Sequence, residues 1–81
     1  TMKPIGLKKT LGISNVFLDD LTRALTEEQK RCIEEFRVAD EPYRAGFFLG
    51  EANACSKALA WIDKIENDDI IIDYINRLRH E

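Results

Sequence analysis

The stretch PYRAGFFLGEANACSKALAWIDKIE, residues 42–66, decides the fold. Pro42 suits the first turn of a helix, because its missing N–H needs no partner there. Beyond Pro42, only two glycines in the stretch oppose a helix. Apolar residues recur at spacings of four and three, as in a helix that packs along a neighbour. This core seam comprises Phe48, Ala52, Cys55, Leu59 and Ile62. The sequence therefore predicts one long central helix over about residues 42–66.

Two further sets of residues lie beside the core seam. A second apolar row comprises Phe47, Ala54, Ala58, Trp61 and Ile65, and it makes the apolar face wider than one neighbour needs. A small stripe, with a residue every four positions, comprises Gly46, Gly50, Ala54 and Ala58. Glycine inside a helix costs about 0.5–1 kcal/mol relative to alanine, so we expect the stripe to allow close approach of another backbone. Its neighbour is a helix of the same chain, a second copy in a homodimer, or a partner protein or ligand.

Two shorter helices are predicted before the long one. Ser14 can cap the first through its side-chain oxygen. Thr26-Glu27-Glu28-Gln29 has the pattern of a capping box, in which Thr26 begins the second helix and Gln29 reaches back to its N–H. The second helix should end near Ala39, because Pro42 disfavours helical backbone in the residue before it. Asp40 or Glu41 should cap the long helix.

A last helix is predicted after the long one. Asn67 should end the long helix, and Asp68 or Asp69 should cap the next, with Ile71, Ile75 and Leu78 as its apolar seam. The prediction is therefore an all-α domain over residues 14–81, with about four helices around the long one. Two shorter helices pack across the long helix and the last folds back along it.

Residues 1–13 are predicted to form an irregular basic arm with a turn near Gly12. Lys3, Lys8 and Lys9 give residues 1–14 a charge of +3, which leaves −6 for the rest of a chain whose net charge is −3. An acidic body with a short basic arm disfavours a nucleic-acid-binding role, which usually requires a basic face.

The residues that chemistry needs are few in this sequence. Cys32 and Cys55 each fall on an apolar seam, where a cysteine acts as a small hydrophobic residue. The one histidine, His80, lies far along the chain from both cysteines, and no metal or phosphate-binding motif is present. Glu51, set in an apolar stretch, should form a salt bridge with Arg44, Lys57 or another chain, or contact a polar ligand. We therefore predict a protein that is not an enzyme and has no cofactor and no metal.

The chain is expected to be cytoplasmic. No apolar run in the sequence approaches the length needed to cross a membrane. The first 25 residues lack the apolar region of a signal peptide, and the two cysteines are too few for a disulfide framework.

The central helix also resembles those of known small proteins. The pattern Tyr43-Arg44-Ala45-Gly46, followed by Gly50, Ala54, Leu59 and Trp61-Ile62, is similar to the central helix of short phage or prophage accessory proteins. The resemblance covers about 20 of the 81 residues. It implies a helical protein that binds a host or phage protein. The chain more distantly resembles helical hairpins of phage proteins that sequester cyclic-nucleotide signals, although it lacks their ligand motif.

Two functions follow as hypotheses. The first is a protein–protein interaction module that binds itself and an unidentified protein; its predicted interface comprises Gly46, Phe47, Gly50, Ala54, Ala58 and Trp61. The second is a small-ligand protein that binds a nucleotide-like anion at a subunit interface; its predicted anion contacts are Lys8, Lys9, Arg44 and Lys57.

Overall fold

The computed structural model describes residues 5–80, apart from the side chain of His80. Over this range the chain forms three helices and no strand: α1 (Leu7–Leu11), α2 (Asn15–Val38) and α3 (Pro42–His80). The all-α class is confirmed, with three helices in place of about four. Lys3 of the predicted arm lies outside the described residues, as does the side chain of His80.

The α2 helix runs without a break through the predicted capping box, so the boundary at Thr26 is wrong. Thr26 Oγ1 donates a hydrogen bond to the carbonyl oxygen of Thr22, 2.7 Å away, inside a continuous helix. Gln29 Nε2 donates to Ser56 Oγ on α3, 2.5 Å away, and not to the start of a helix. No glycine or proline lies between residues 15 and 38, so nothing forces the chain out of helical conformation before Thr26.

The α3 helix likewise continues past Asn67 to His80, so the predicted last helix does not exist and nothing folds back. Residues 51–80 contain neither glycine nor proline, and asparagine or aspartate costs a helix only about 0.7 kcal/mol relative to alanine. The two carboxylates predicted to cap a new helix instead contact α1. Asp68 Oδ2 accepts a hydrogen bond from Leu7 N at 2.9 Å, and Asp69 Oδ2 lies 3.3 Å from Lys8 Nζ.

Three other helix ends lie where the sequence predicts them. Ser14 Oγ accepts a hydrogen bond from Phe17 N and caps α2, and α2 ends at Val38, one residue before Ala39. At the start of α3, Glu41 is the capping residue, because its carboxylate accepts from Tyr43 N at 3.0 Å and from Arg44 N at 3.2 Å. The short 39–41 connection therefore makes α2 and α3 an antiparallel hairpin.

The segment predicted as an irregular arm contains α1, which packs against the distal part of α3. Gly12 ends α1 with a φ of 69°, a left-handed conformation that glycine adopts readily. The chain turns at Gly12, as predicted. Gly6, before α1, is buried against Asp69.

The core is a single narrow layer between α2 and α3. Its buried apolar residues are Leu18, Cys32, Ala52, Cys55 and Ile62. Three of them belong to the predicted core seam, whose other members, Phe48 and Leu59, are half-buried. The molecule measures 61 × 19 × 18 Å, so one dimension far exceeds the others. A helix of 39 residues has a length of about 58 Å, which accounts for this shape.

Candidate protein-interaction face

A continuous row of exposed residues follows α3 on a side that no other described element covers. We call it the outer seam; it comprises Tyr43, Phe47, Gly50, Ala54, Lys57 and Trp61, all exposed. The members recur at spacings of four and three, and at 3.6 residues per turn the outer seam lies about 140° around α3 from the core seam. The exposed fractions of Tyr43, Phe47 and Trp61 are 82%, 54% and 63%. Apolar rows on two sides of one helix are typical of a helix that is covered on both sides.

The small stripe does not pack within the chain. Apart from its chain neighbours and the adjacent backbone of α3, a Cβ atom added at Gly46 or Gly50 would meet no described atom within 4 Å. Ala54 is exposed, and only Ala58 is half-buried. The prediction that another helix of the same chain packs against the small stripe is therefore wrong. The central part of the outer seam is an open strip where another backbone can approach α3 closely.

Weak intramolecular contacts hold the two large aromatic side chains of the predicted interface. The ring of Phe47 meets the ring of Phe48 edge to face, with centroids 5.3 Å apart. Lys64 Nζ lies 4.7 Å from the centroid of the Trp61 ring, in a cation–π contact. Both residues nevertheless keep more than half of their accessible surface, so they are available as anchors for a partner.

The exposed side of α2 differs from the outer seam in its chemistry. Three ion pairs lie along α2, and in each the two partners are three residues apart, or about one helical turn. They are Asp20–Arg23, Glu28–Arg31 and Glu34–Arg37. Exposed pairs of this kind each stabilise a helix by only a few tenths of a kcal/mol, about 0.2–0.5. They mark a solvated surface along the middle of α2, whose most exposed apolar residues, Val16, Phe17 and Val38, lie near its two ends and not in a continuous row.

An arginine cluster around Phe48 closes the end of the hairpin near Pro42. The guanidinium carbons of Arg31 and Arg44 lie 6.0 and 5.9 Å from the centroid of the Phe48 ring. Arg44 also pairs with Glu35 across the hairpin at 3.6 Å, and not with Glu51 as the sequence suggested. The hydrogen bond from Arg31 lowers the pKa of the Glu28 carboxyl. These arginines stabilise the junction of α2 and α3.

The four predicted anion contacts do not meet in one place. Lys8 and Lys9 lie on α1, next to Asp69 on α3. Arg44 lies 25 residues before Asp69 on the same helix, a separation of about 37 Å at 1.5 Å per residue. Lys57 belongs to the outer seam between them. A single anion therefore cannot contact all four residues of one chain.

A cavity of about 650 Å³ lies between α1, the start of α2 and the distal part of α3. Lys8 and Lys9 line it together with Asp69, Asp73 and Asn76. Lys8 Nζ already contacts Asp69 and donates to Asn15 Oδ1. The side-chain oxygen of Asn76 is buried and has no hydrogen-bond partner among the described residues. The charges of this cavity are mixed, and the outer seam lies outside it.

The two cysteines are buried free thiols at the contact of α2 and α3. Burial is the main cause that raises the pKa of the Cys32 thiol, and the nearby Glu28 carboxylate adds to it. In residues 5–80 no three His, Cys, Asp or Glu side chains come together as a set of metal ligands. None of the three described helices has an apolar stretch long enough to cross a membrane.

The comparisons with known proteins give no relative. No protein-family model matches the chain, and no curated protein and no solved structure is significantly similar to it. The outer seam is therefore defined by its geometry alone. Four of its six members belong to the predicted interface; Lys57 is predicted instead as an anion contact, and Tyr43 is not assigned to either site. Their spacing of four residues to Phe47 and Trp61 is the signal that could have identified them.

Proposed function

We propose that this chain is a non-enzymatic protein-interaction module that binds a helix of another protein chain along its outer seam. The observation that carries the proposal is a continuous exposed row on one side of α3, in which Tyr43, Phe47 and Trp61 all keep more than half of their accessible surface. Large exposed apolar patches with a polar surround mark interaction sites on soluble proteins. Tryptophan and tyrosine are also the side chains most enriched among residues that dominate binding energy.

The resemblance of the central helix to short phage or prophage accessory proteins supports the same role. Such a protein would act by binding a host or phage protein. We further infer that it acts in the cytoplasm, because Cys32 and Cys55 are free thiols and reducing compartments maintain cysteines in that state.

Site-specific photo-crosslinking tests the proposal. The photoreactive amino acid p-benzoylphenylalanine replaces Phe47 on the outer seam in one variant and Glu27 on the exposed side of α2 in a matched control. Irradiation of source cells should give a protein adduct at position 47 and none at position 27. Adding Ala54→Glu should abolish the adduct, whereas Ala60→Glu, an exposed alanine about 120° away around α3, should leave it. The absence of any adduct at position 47 would overturn the proposal.

A small-ligand role is a second candidate, and the cavity beside α1 is the observation that favours it. Lys8 and Lys9 supply positive charge there, but Asp69 and Asp73 offset it. If a cyclic nucleotide binds in this cavity, it should raise the melting temperature of the wild-type chain, and Lys9→Ala should remove the shift. A panel of cyclic nucleotides that leaves the melting temperature unchanged rejects this candidate.

A further inference from the structure

The hairpin exposes too much surface for a compact monomer of its size. Its accessible surface of 6444 Å² exceeds by about 1,400 Å² the roughly 5,000 Å² expected for a compact monomer of this mass. Its radius of gyration is 17.9 Å, compared with about 12 Å for a compact chain of this length. A standard stable interface buries about 800 Å² per partner. The excess is therefore large enough for one such interface.

We propose that the occupant of the outer seam is a second copy of this chain, packed antiparallel about a two-fold axis level with residue 52. This inference rests on the proposed function and names its partner. A two-fold interface must be self-complementary, because the same patch lies on both subunits. The outer seam meets this condition, since its members fall at equal distances on either side of residue 52.

In this arrangement, residues of the two copies that lie at equal distances from residue 52 face each other, and each facing pair is chemically compatible. Tyr43 and Trp61 each lie nine residues from residue 52, so a ring of one copy meets a ring of the other at both ends. Gly50 and Ala54 each lie two residues away, so small residues meet at the centre, where the helices can approach closely.

The middle levels pair unlike residues. Phe47 and Lys57 each lie five residues from residue 52, so the ring of one copy meets the lysine of the other. The apolar stem of a lysine can pack on such a ring, and its ammonium group adds a cation–π contact. This pairing gives Lys57 a place at an interface that is otherwise apolar.

The resulting assembly is a four-helix bundle. The two α3 helices form its inner pair, and each α2 covers the side of its own α3 that carries the core seam. The ion pairs of α2 stay in water, as their charge requires. The apolar rows on two sides of α3 are then both covered, which is the arrangement that its sequence pattern favours.

Sedimentation equilibrium and Trp61 fluorescence test the second copy. At micromolar concentration the wild-type chain should have twice its 9.3 kDa mass. Dilution should shift the emission of Trp61, the only tryptophan, to longer wavelength as its exposed ring loses the partner. Ala54→Glu should give a monomer with an unchanged helical circular dichroism spectrum, and Ala60→Glu should remain a dimer. A wild-type monomer would overturn this inference, as would an Ala54→Glu variant that still dimerises.

Disulfide trapping tests the antiparallel register. A Gly50→Cys chain is mixed with an Ala54→Cys chain, one of which carries an affinity tag, and the mixture is mildly oxidised. The wild-type chain, oxidised in the same way, shows whether the buried native thiols form disulfides. A disulfide needs Cα atoms within about 7 Å. The antiparallel register brings position 50 of one copy beside position 54 of the other, so the mixed disulfide should dominate. Dominant 50–50 or 54–54 disulfides would indicate parallel helices and overturn the register.

Failure of this inference and failure of the proposed function give different results. A monomeric wild type whose position-47 adduct contains a different protein rejects the second copy and keeps the interaction module. A monomer with no adduct rejects both. An adduct of twice the chain mass, lost with Ala54→Glu, supports both.

Discussion

Asp68 on α3 accepts a hydrogen bond at 2.9 Å from the backbone N–H of Leu7, the first residue of α1, 61 positions earlier in the sequence. Its neighbour Asp69 pairs with Lys8 at 3.3 Å. The first N–H groups of a helix have no partner within it, and the positive end of the helix dipole favours a carboxylate. Asp68 thus caps α1 from another element, and Asp69 pairs with a side chain of the same helix, which explains how so short a helix stays attached to the hairpin.

Asp68→Ala should therefore destabilise α1 more than the rest of the fold. Loss of a side-chain cap costs about 0.5–2 kcal/mol, and we expect a free energy of unfolding lower by that amount in urea titrations. Trypsin should also cut faster after Lys8 or Lys9. Asp63→Ala removes an exposed acid of the same helix and should change neither quantity by a measurable amount. Equal effects of the two substitutions would contradict the role given to Asp68.

The same pair of residues shows how far the sequence could predict the fold. An Asn-Asp-Asp run resembles the start of a helix, and Asp68 does cap one, but the helix that it caps is distant in the chain. Local sequence shows that a carboxylate suits a helix start; it does not show which helix. The prediction at Thr26 is wrong for a related reason, because its pattern describes a helix start only when the chain before it is not already helical.

Strong local signals predict the structure correctly. Pro42 and Ser14 fix helix starts through backbone geometry and short-range hydrogen bonds, which depend on a few adjacent residues. The core seam followed from spacing, since a helix places residues three and four apart on one side. Which of the two apolar rows would face α2 depends on the register of the hairpin. The exposure of the small stripe therefore became visible only in the structure.

Asp40 and Glu41 are adjacent acids, and the sequence alone does not show which of them caps α3. Glu41→Ala removes the acceptor of two backbone N–H groups, those of Tyr43 and Arg44. It should lower the free energy of unfolding by about 0.5–2 kcal/mol. Asp40→Ala alters an exposed residue of the same connection and should have a smaller effect. Thermal and urea unfolding of both variants measure the difference. A larger loss of stability in Asp40→Ala than in Glu41→Ala would show that Glu41 is not the cap of α3.

Two glycine substitutions should act in opposite directions. A methyl group at Gly6 would collide with the Asp69 carboxylate, so Gly6→Ala should displace that carboxylate from Lys8 and destabilise the docking of α1. A methyl group at Gly46 would meet open space, and alanine inside a helix is favoured over glycine by about 0.5–1 kcal/mol. Gly46→Ala should therefore raise the melting temperature while Gly6→Ala lowers it. A destabilised Gly46→Ala variant would contradict this prediction and would show that the covered surface extends beyond the outer seam to Gly46.

Cys32 should make the fold sensitive to alkaline pH. Burial raises the pKa of its thiol in the folded chain, so the folded state keeps the proton to higher pH than the unfolded state does. The stability linked to this proton is fully present below the unfolded-state pKa and is lost as pH rises through the folded-state pKa. Urea unfolding from about pH 7 to about pH 10, which brackets the ordinary thiol pKa, should show a decline in stability. The decline, measured for each chain from its own stability at about pH 7, should be smaller in Cys32→Ala, because that variant has no thiol to titrate at this position. Equal slopes in the two chains would mean that Cys32 ionises as easily in the folded chain as in the unfolded one, contrary to its burial between α2 and α3.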